Sequence, residues 1–236
     1  MLSILKKRQA QQRQQEAPKP QVVDVAKSVA QVLTASSIIA DKPWEETQLM
    51  LKKDLEYVRT LAGSQEKDPY KEELVNKYRP VVEKLLDTHS NLENLDVIWW
   101  FYQWQIDLGK LPEVHDQLRE AIDKGLETPQ NWKVNGQTGY CDIVFKYSST
   151  AHDQKQEFNR DYLIQAVSDL QQGKLATNAP LKVKMFKLVG DWHYENGEKE
   201  QAYAMYELVM KLDPSKGGRK GRLNELKEEL GYGDSN

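Results

Sequence analysis

Residues 95–108, Leu-Asp-Val-Ile-Trp-Trp-Phe-Tyr-Gln-Trp-Gln-Ile-Asp-Leu, are apolar on nearly every side of a helix. A helix without a polar face has to be enclosed by other parts of the fold. The run is too short for a membrane span, which takes about 20 apolar residues, so the rest of the chain must supply the enclosure. It has the means. Six Trp, eleven Tyr and four Phe occur in 236 residues, and each aromatic side chain buries roughly 150–250 Å². The hydrophobic fraction is nevertheless only 39%, with 29% charged. That lies below the ~45–50% apolar content of an average globular chain, so polar tail or surface helix accounts for part of the length. One large domain or two small ones fit a chain of this size.

Cys141 has no partner in the chain, which excludes a disulfide scaffold and suits a reducing compartment. The opening Met1 to Leu5 is followed at once by Lys6, Lys7 and Arg8, the wrong order for a signal peptide. The expectation is a soluble intracellular protein with no membrane association.

Helical spacing recurs along the chain. Residues 6–21 are rich in Gln and cations and lack an apolar face, so residues 1–21 read as a flexible basic arm. Residues 22–64 follow as N-terminal helices. Val22, Val25, Val29 and Leu33 mark a short amphipathic helix, and Asp41-Lys-Pro43 opens a second that carries Trp44, Leu51, Leu55 and Val58 and stops at Gly63. A central helical domain covers 68–175. Asp68-Pro69 is expected to open a helix with the stripe Tyr70, Leu74, Tyr78, Val81 and Leu85, kinked at Pro80. The 95–108 helix, the turn Gly109-Lys-Leu-Pro112 and a return helix with Val114, Leu118 and Ile122 then form an antiparallel hairpin closed by Gly125. Residues 127–156 are the least legible: Asn131, Asn135, Gly136 and Gly139 suggest a loop, and Tyr140–Tyr147 fits a strand or a short helix. A helix with Phe158, Leu163, Ala166 and Leu170 ends at Gly173.

The last part, 176–236, combines a hairpin and a C-terminal helix with Leu223, Leu226 and Leu230. Phe186, Val189, Gly190, Gly197, Ala202, Tyr206 and Pro214 sit at tetratricopeptide spacing. Small Gly190 and Ala202 imply a close helix crossing, with Phe186 and Tyr206 filling the seam. One such unit is fewer than a solenoid needs. The expected fold class is all-α, made of antiparallel helical hairpins with a tetratricopeptide-like hairpin near the C-terminus.

Several chemistries find no support. Gly109-Lys110 and Gly173-Lys174 are followed by Leu and lack the upstream glycine of a phosphate loop. The four histidines are scattered, and one cysteine cannot build a structural zinc site. Glu45/Glu46 and Glu72/Glu73 read as first-turn acids that favour the helix dipole. Cys141 has no visible base and reads as an inert thiol. No catalytic residue, metal site or cofactor is expected.

Charge points elsewhere. The formal net charge is −3, yet both ends are basic. Lys6, Lys7, Arg8, Arg13 and Lys19 lie in the arm, and Lys216, Arg219, Lys220 and Arg222 form a patch interleaved with glycines. Basic ends on an acidic body suit an anionic partner such as nucleic acid, or are solvated surface.

Three features carry a resemblance. They are Leu95–Pro129, with Asp107-Leu-Gly109-Lys and Lys124-Gly-Leu-Glu-Thr-Pro129; Arg79-Pro80 inside the preceding helix; and Leu181–Leu230, with Lys-Leu-Val-Gly190, Glu195-Asn-Gly197 and Lys211-Leu-Asp213. Over residues 40–230 this order of parts resembles the terminase small subunit of peduovirus-type temperate tailed phages. The resemblance implies a non-catalytic DNA-recognition subunit in the cytoplasm of the bacterial host. Its implied partners are double-stranded viral DNA, further copies of itself in a homo-oligomer such as a ring, and a large terminase subunit that holds the ATPase and the nuclease. The family is often labelled an endonuclease subunit, but cleavage is assigned here to the large subunit. Members can carry a long basic C-terminal tail; residues 231–236 are not basic, so DNA contacts are expected at the nine cations named above. Two other readings are a tetratricopeptide-like protein-interaction adaptor without DNA binding and, below it, a metal-dependent nuclease.

Overall fold

Every secondary-structure element described by the computed structural model, which covers residues 42–232, is a helix. The elements are α1 (Trp44–Thr60), α2 (Gly63–Thr88), α3 (Asp96–Asp107), α4 (Leu111–Asp123), α5 (Gly136–Asp153), α6 (Asp161–Gln171), α7 (Ala179–Glu195), α8 (Lys199–Leu212) and α9 (Lys220–Glu229). Each packs on the next in sequence, and α5 also meets α7. The predicted arm and the helix expected over residues 22–33 lie outside the described residues.

The Trp-rich run forms α3 and is enclosed as its pattern requires. Val97, Ile98, Trp99, Phe101, Tyr102 and Trp104 are buried, and Trp100 packs against the same cluster. Burying each large apolar side chain contributes roughly 1.5–3 kcal/mol, so α3 is the centre on which its neighbours assemble. Gly109 follows it at φ 78, and the Lys110 amide donates to the Gln105 carbonyl. This left-handed cap reverses the chain within three residues and seats α4 antiparallel. Leu111, Val114, Leu118, Ala121 and Ile122 of α4 face inward.

Two boundaries differ from the sequence expectation. First, α2 opens at Gly63 rather than at Asp68. The Glu66 carboxylate accepts the Ala62 N–H at 2.7 Å and ties down the first turn. The helix then runs through Pro69 and Pro80 without ending. Glu72 and Glu73 therefore sit mid-helix, not in a first turn, and the dipole does not explain them. They are exposed, and Glu72 faces Lys110 at 3.5 Å.

Second, the segment expected to hold a loop and then a strand or a short helix forms the long helix α5. Asn135 is its cap, accepting the Thr138 N–H at 2.9 Å. Gly139 is present for contact: a Cβ there would lie 2.5 Å from the Trp99 ring. Gly139 thus marks close packing against α3, and Gly136 close packing against the backbone at Leu126 and Glu127 after α4, rather than a turn. Tyr140, Cys141, Val144, Ser148 and Ala151 make the buried face.

Polar cross-links join elements distant in sequence. Asp54 on α1 accepts hydrogen bonds from Tyr70 (3.0 Å), Lys77 (2.6 Å) and Tyr78 (2.7 Å) on α2. Arg119 on α4 donates to the buried Asp169 on α6 at 2.9 Å and also pairs with Asp123.

Candidate nucleic-acid interface

The seam between α7 and α8 is close because Gly190 has no side chain. A Cβ at that position would stand 2.8 Å from the Tyr206 ring and 2.9 Å from the Met205 Cβ. Ala202 and Tyr206 are fully buried opposite it. Gly197 turns the chain at φ 76, and α8 ends before Pro214. The expected pairing of small and large residues across this hairpin is therefore present. Leu212, at the end of α8, is 38% exposed.

Beyond α8 the chain forms a tight turn. The Asp213 carboxylate accepts the Lys216 N–H at 2.8 Å and the Ser215 hydroxyl at 3.2 Å, an arrangement that suits Asp in turns. The Lys216 amide hydrogen bond holds its carboxyl below the ordinary value. Gly217 is buried against Val209 and the Asp213 carbonyl. Gly217 and Gly218 thus serve the turn and its packing, whereas Gly221 lies within α9.

The four predicted cations of this patch fall into two pairs. Lys216 and Lys220 are exposed. Arg219 and Arg222 converge on Asp191 of α7. Arg219 grips it with both arms of the guanidinium, Nε at 2.7 Å and Nη2 at 2.5 Å, and Arg222 adds Nη1 at 3.0 Å. Tyr206 donates its hydroxyl to the same carboxylate at 2.7 Å. The Arg222 guanidinium also lies 4.7 Å over the Tyr194 ring. Burial alone would raise the Asp191 carboxyl. The Arg219 and Tyr206 hydrogen bonds and the two guanidinium charges outweigh it and hold the carboxyl below its ordinary value.

Asp191 was not visible as a functional residue from the sequence. Its one signal was its place directly after Gly190, at the point of closest helix approach. It borders a cleft of about 320 Å³ lined by Phe145 and Ser149 of α5 and by Lys184, Lys187 and Leu188 of α7. Lys6, Lys7, Arg8, Arg13 and Lys19 lie outside the described residues.

Cys141 is buried, and burial pushes its thiol up to about 12, with Arg119 and Lys182 acting in the opposite sense. It stays protonated at neutral pH and is a poor nucleophile. Among the described residues no group of three His, Cys, Asp or Glu side chains converges as a metal site would require. No helix among them is long and apolar enough to cross a membrane.

The described residues thus form an all-helical body with exposed lysines at 216 and 220 and two arginines bound to Asp191. A family model of phage small terminase subunits matches residues 48–179, more than half of the chain. The chain belongs to that family, and membership gives it a part in viral DNA packaging. No curated protein and no solved structure matches it.

Proposed function

We propose that this chain is the DNA-recognition subunit of a packaging terminase. It binds double-stranded viral DNA at the packaging site, assembles with further copies of itself and delivers the DNA to the large subunit, which carries out ATP hydrolysis and cleavage. The observation that carries the reading is the family match over residues 48–179. The cations exposed at Lys216 and Lys220 support it as phosphate contacts. Arg219 and Arg222 hold α9 in place through Asp191 and present their remaining donors at the same surface.

Phosphate contacts give affinity that falls with salt and carry no sequence information. Selection of the packaging site therefore rests on base contacts or DNA shape. The test is fluorescence anisotropy of a labelled duplex carrying the packaging site, beside a scrambled duplex, across a salt series. The proposal expects binding to both at low salt, a steep salt slope and preference for the packaging site. Absence of duplex affinity at moderate salt would instead support a protein-interaction adaptor. Cutting of the duplex by the isolated chain with a divalent metal would return the nuclease reading.

A further inference from the structure

The carboxylate of Asp191 is bound by two guanidinium groups, one positive charge more than it can neutralise. Lys187 stands four residues before it on α7, the position from which a lysine usually answers an acid on the next turn. That acid is already taken by Arg219 and Arg222. Lys184, three residues before Lys187, has proline and leucine at its own neighbouring turn positions 180, 181 and 188, so α7 offers it no acid. Positions 184, 187 and 191 fall on one face of the helix, and all three line the cleft against Phe145 and Ser149. Two lysines thus line the cleft, and Asp191, the one acid among its lining residues, is already bound by two arginines. The cleft floor of Phe145 and Leu188 is apolar, and α5 contributes a hydroxyl rather than an acid. A cationic cleft with a low-dielectric floor concentrates the field felt by an anion outside it.

We propose that Lys184 and Lys187 of α7, together with Arg219 and Arg222 gathered at Asp191, form a binding site for the phosphodiester backbone of duplex DNA on the cleft between α5 and α7. The site extends the surface that begins at Lys216 and Lys220 and rests on the DNA-binding reading above. Ser149 adds a hydroxyl donor at its edge. Because it grips backbone alone, it strengthens binding to every duplex equally.

The double variant Lys184→Gln/Lys187→Gln tests this in the full chain. Anisotropy is measured on the packaging-site and scrambled duplexes over a salt series, with thermal melting as the folding control. A matched variant, Lys110→Gln/Lys124→Gln, removes the same charge from the residues that flank the two ends of α4. The expected result is a loss of roughly tenfold per lysine at ~0.1 M salt, the same for both duplexes, and a salt slope flatter by about two. Melting stays unchanged, and the α4 variant binds as the unaltered chain does. Unchanged affinity and slope in the α7 variant, with the unaltered chain binding normally, would overturn this site and leave the DNA reading standing. An equal loss in the α4 variant would also overturn it, because net charge and not the cleft would then be responsible. If the unaltered chain binds no duplex at low salt, the DNA reading and the site fall together.

Discussion

Asp191 does two jobs through one carboxylate. It anchors the start of α9 to α7, and it gathers arginines beside the cationic face of α7. Its side chain is 14% exposed and meets Arg219 at 2.5 Å, so the pair is only partly screened by water. Removing the charge should cost about 1–3 kcal/mol at neutral pH, because a buried hydrogen-bonded ion pair is broken on one side. The pH dependence has a definite sign. A carboxyl held below its ordinary value in the folded chain contributes stability that is fully present above that ordinary value, 3.8, and is lost as pH falls through the depressed one. Asp191→Asn should therefore lower the denaturant midpoint at pH 7 and lose part of the decline seen in the unaltered chain below about pH 4. Parallel stability curves for the two proteins through that acid range would show that Asp191 is not coupled to the fold in this way.

At the scale of elements, apolar character and glycine spacing were readable where the partner lay nearby in sequence. The all-round apolar α3, the short turn at Gly109 and the α7–α8 hairpin with Gly190 and Ala202 all follow from such signals. The sequence misled where a glycine answers a distant neighbour. Gly139 makes room for Trp99, forty residues earlier, and nothing local separates that from a loop glycine. The same holds for the candidate interface. The cations of 216–222 stood out as a run, whereas their division into two exposed lysines and two Asp191-bound arginines depends on a contact across 28 residues. Asp54 is a further case, since its role needs three partners on the following helix. Tyr78 shows the strength of that contact: burial, followed by the hydrogen bond to Asp54 and its charge, pushes the phenol far above its ordinary value. Tyr70 is raised by the same causes to about 12. Because α1 meets the fold mainly through α2, Asp54→Ala should release α1 locally. Amide exchange should quicken by one to two orders of magnitude over residues 44–60, a loss of about 1–3 kcal/mol, while α3 and α4 stay protected. Uniform acceleration across all helices would mean that α1 unfolds only with the whole.

For the whole molecule, the near balance of 33 basic and 36 acidic residues hides a division of labour. The described helices bury an aromatic core from Leu51 to Val209 and offer cations along α7 and at the start of α9. Electrostatic attraction of this kind speeds encounter and sets salt sensitivity, and the proposed function assigns packaging-site choice to an assembly in which several copies meet one duplex. The central claim is therefore assembly on DNA. Light scattering on the purified chain, with and without a duplex carrying the packaging site, measures it most directly. The account predicts a discrete oligomer of several subunits whose mass shifts when the duplex is added. A monomer whose mass ignores the duplex would contradict it and leave a helical-hairpin protein that works through protein partners alone.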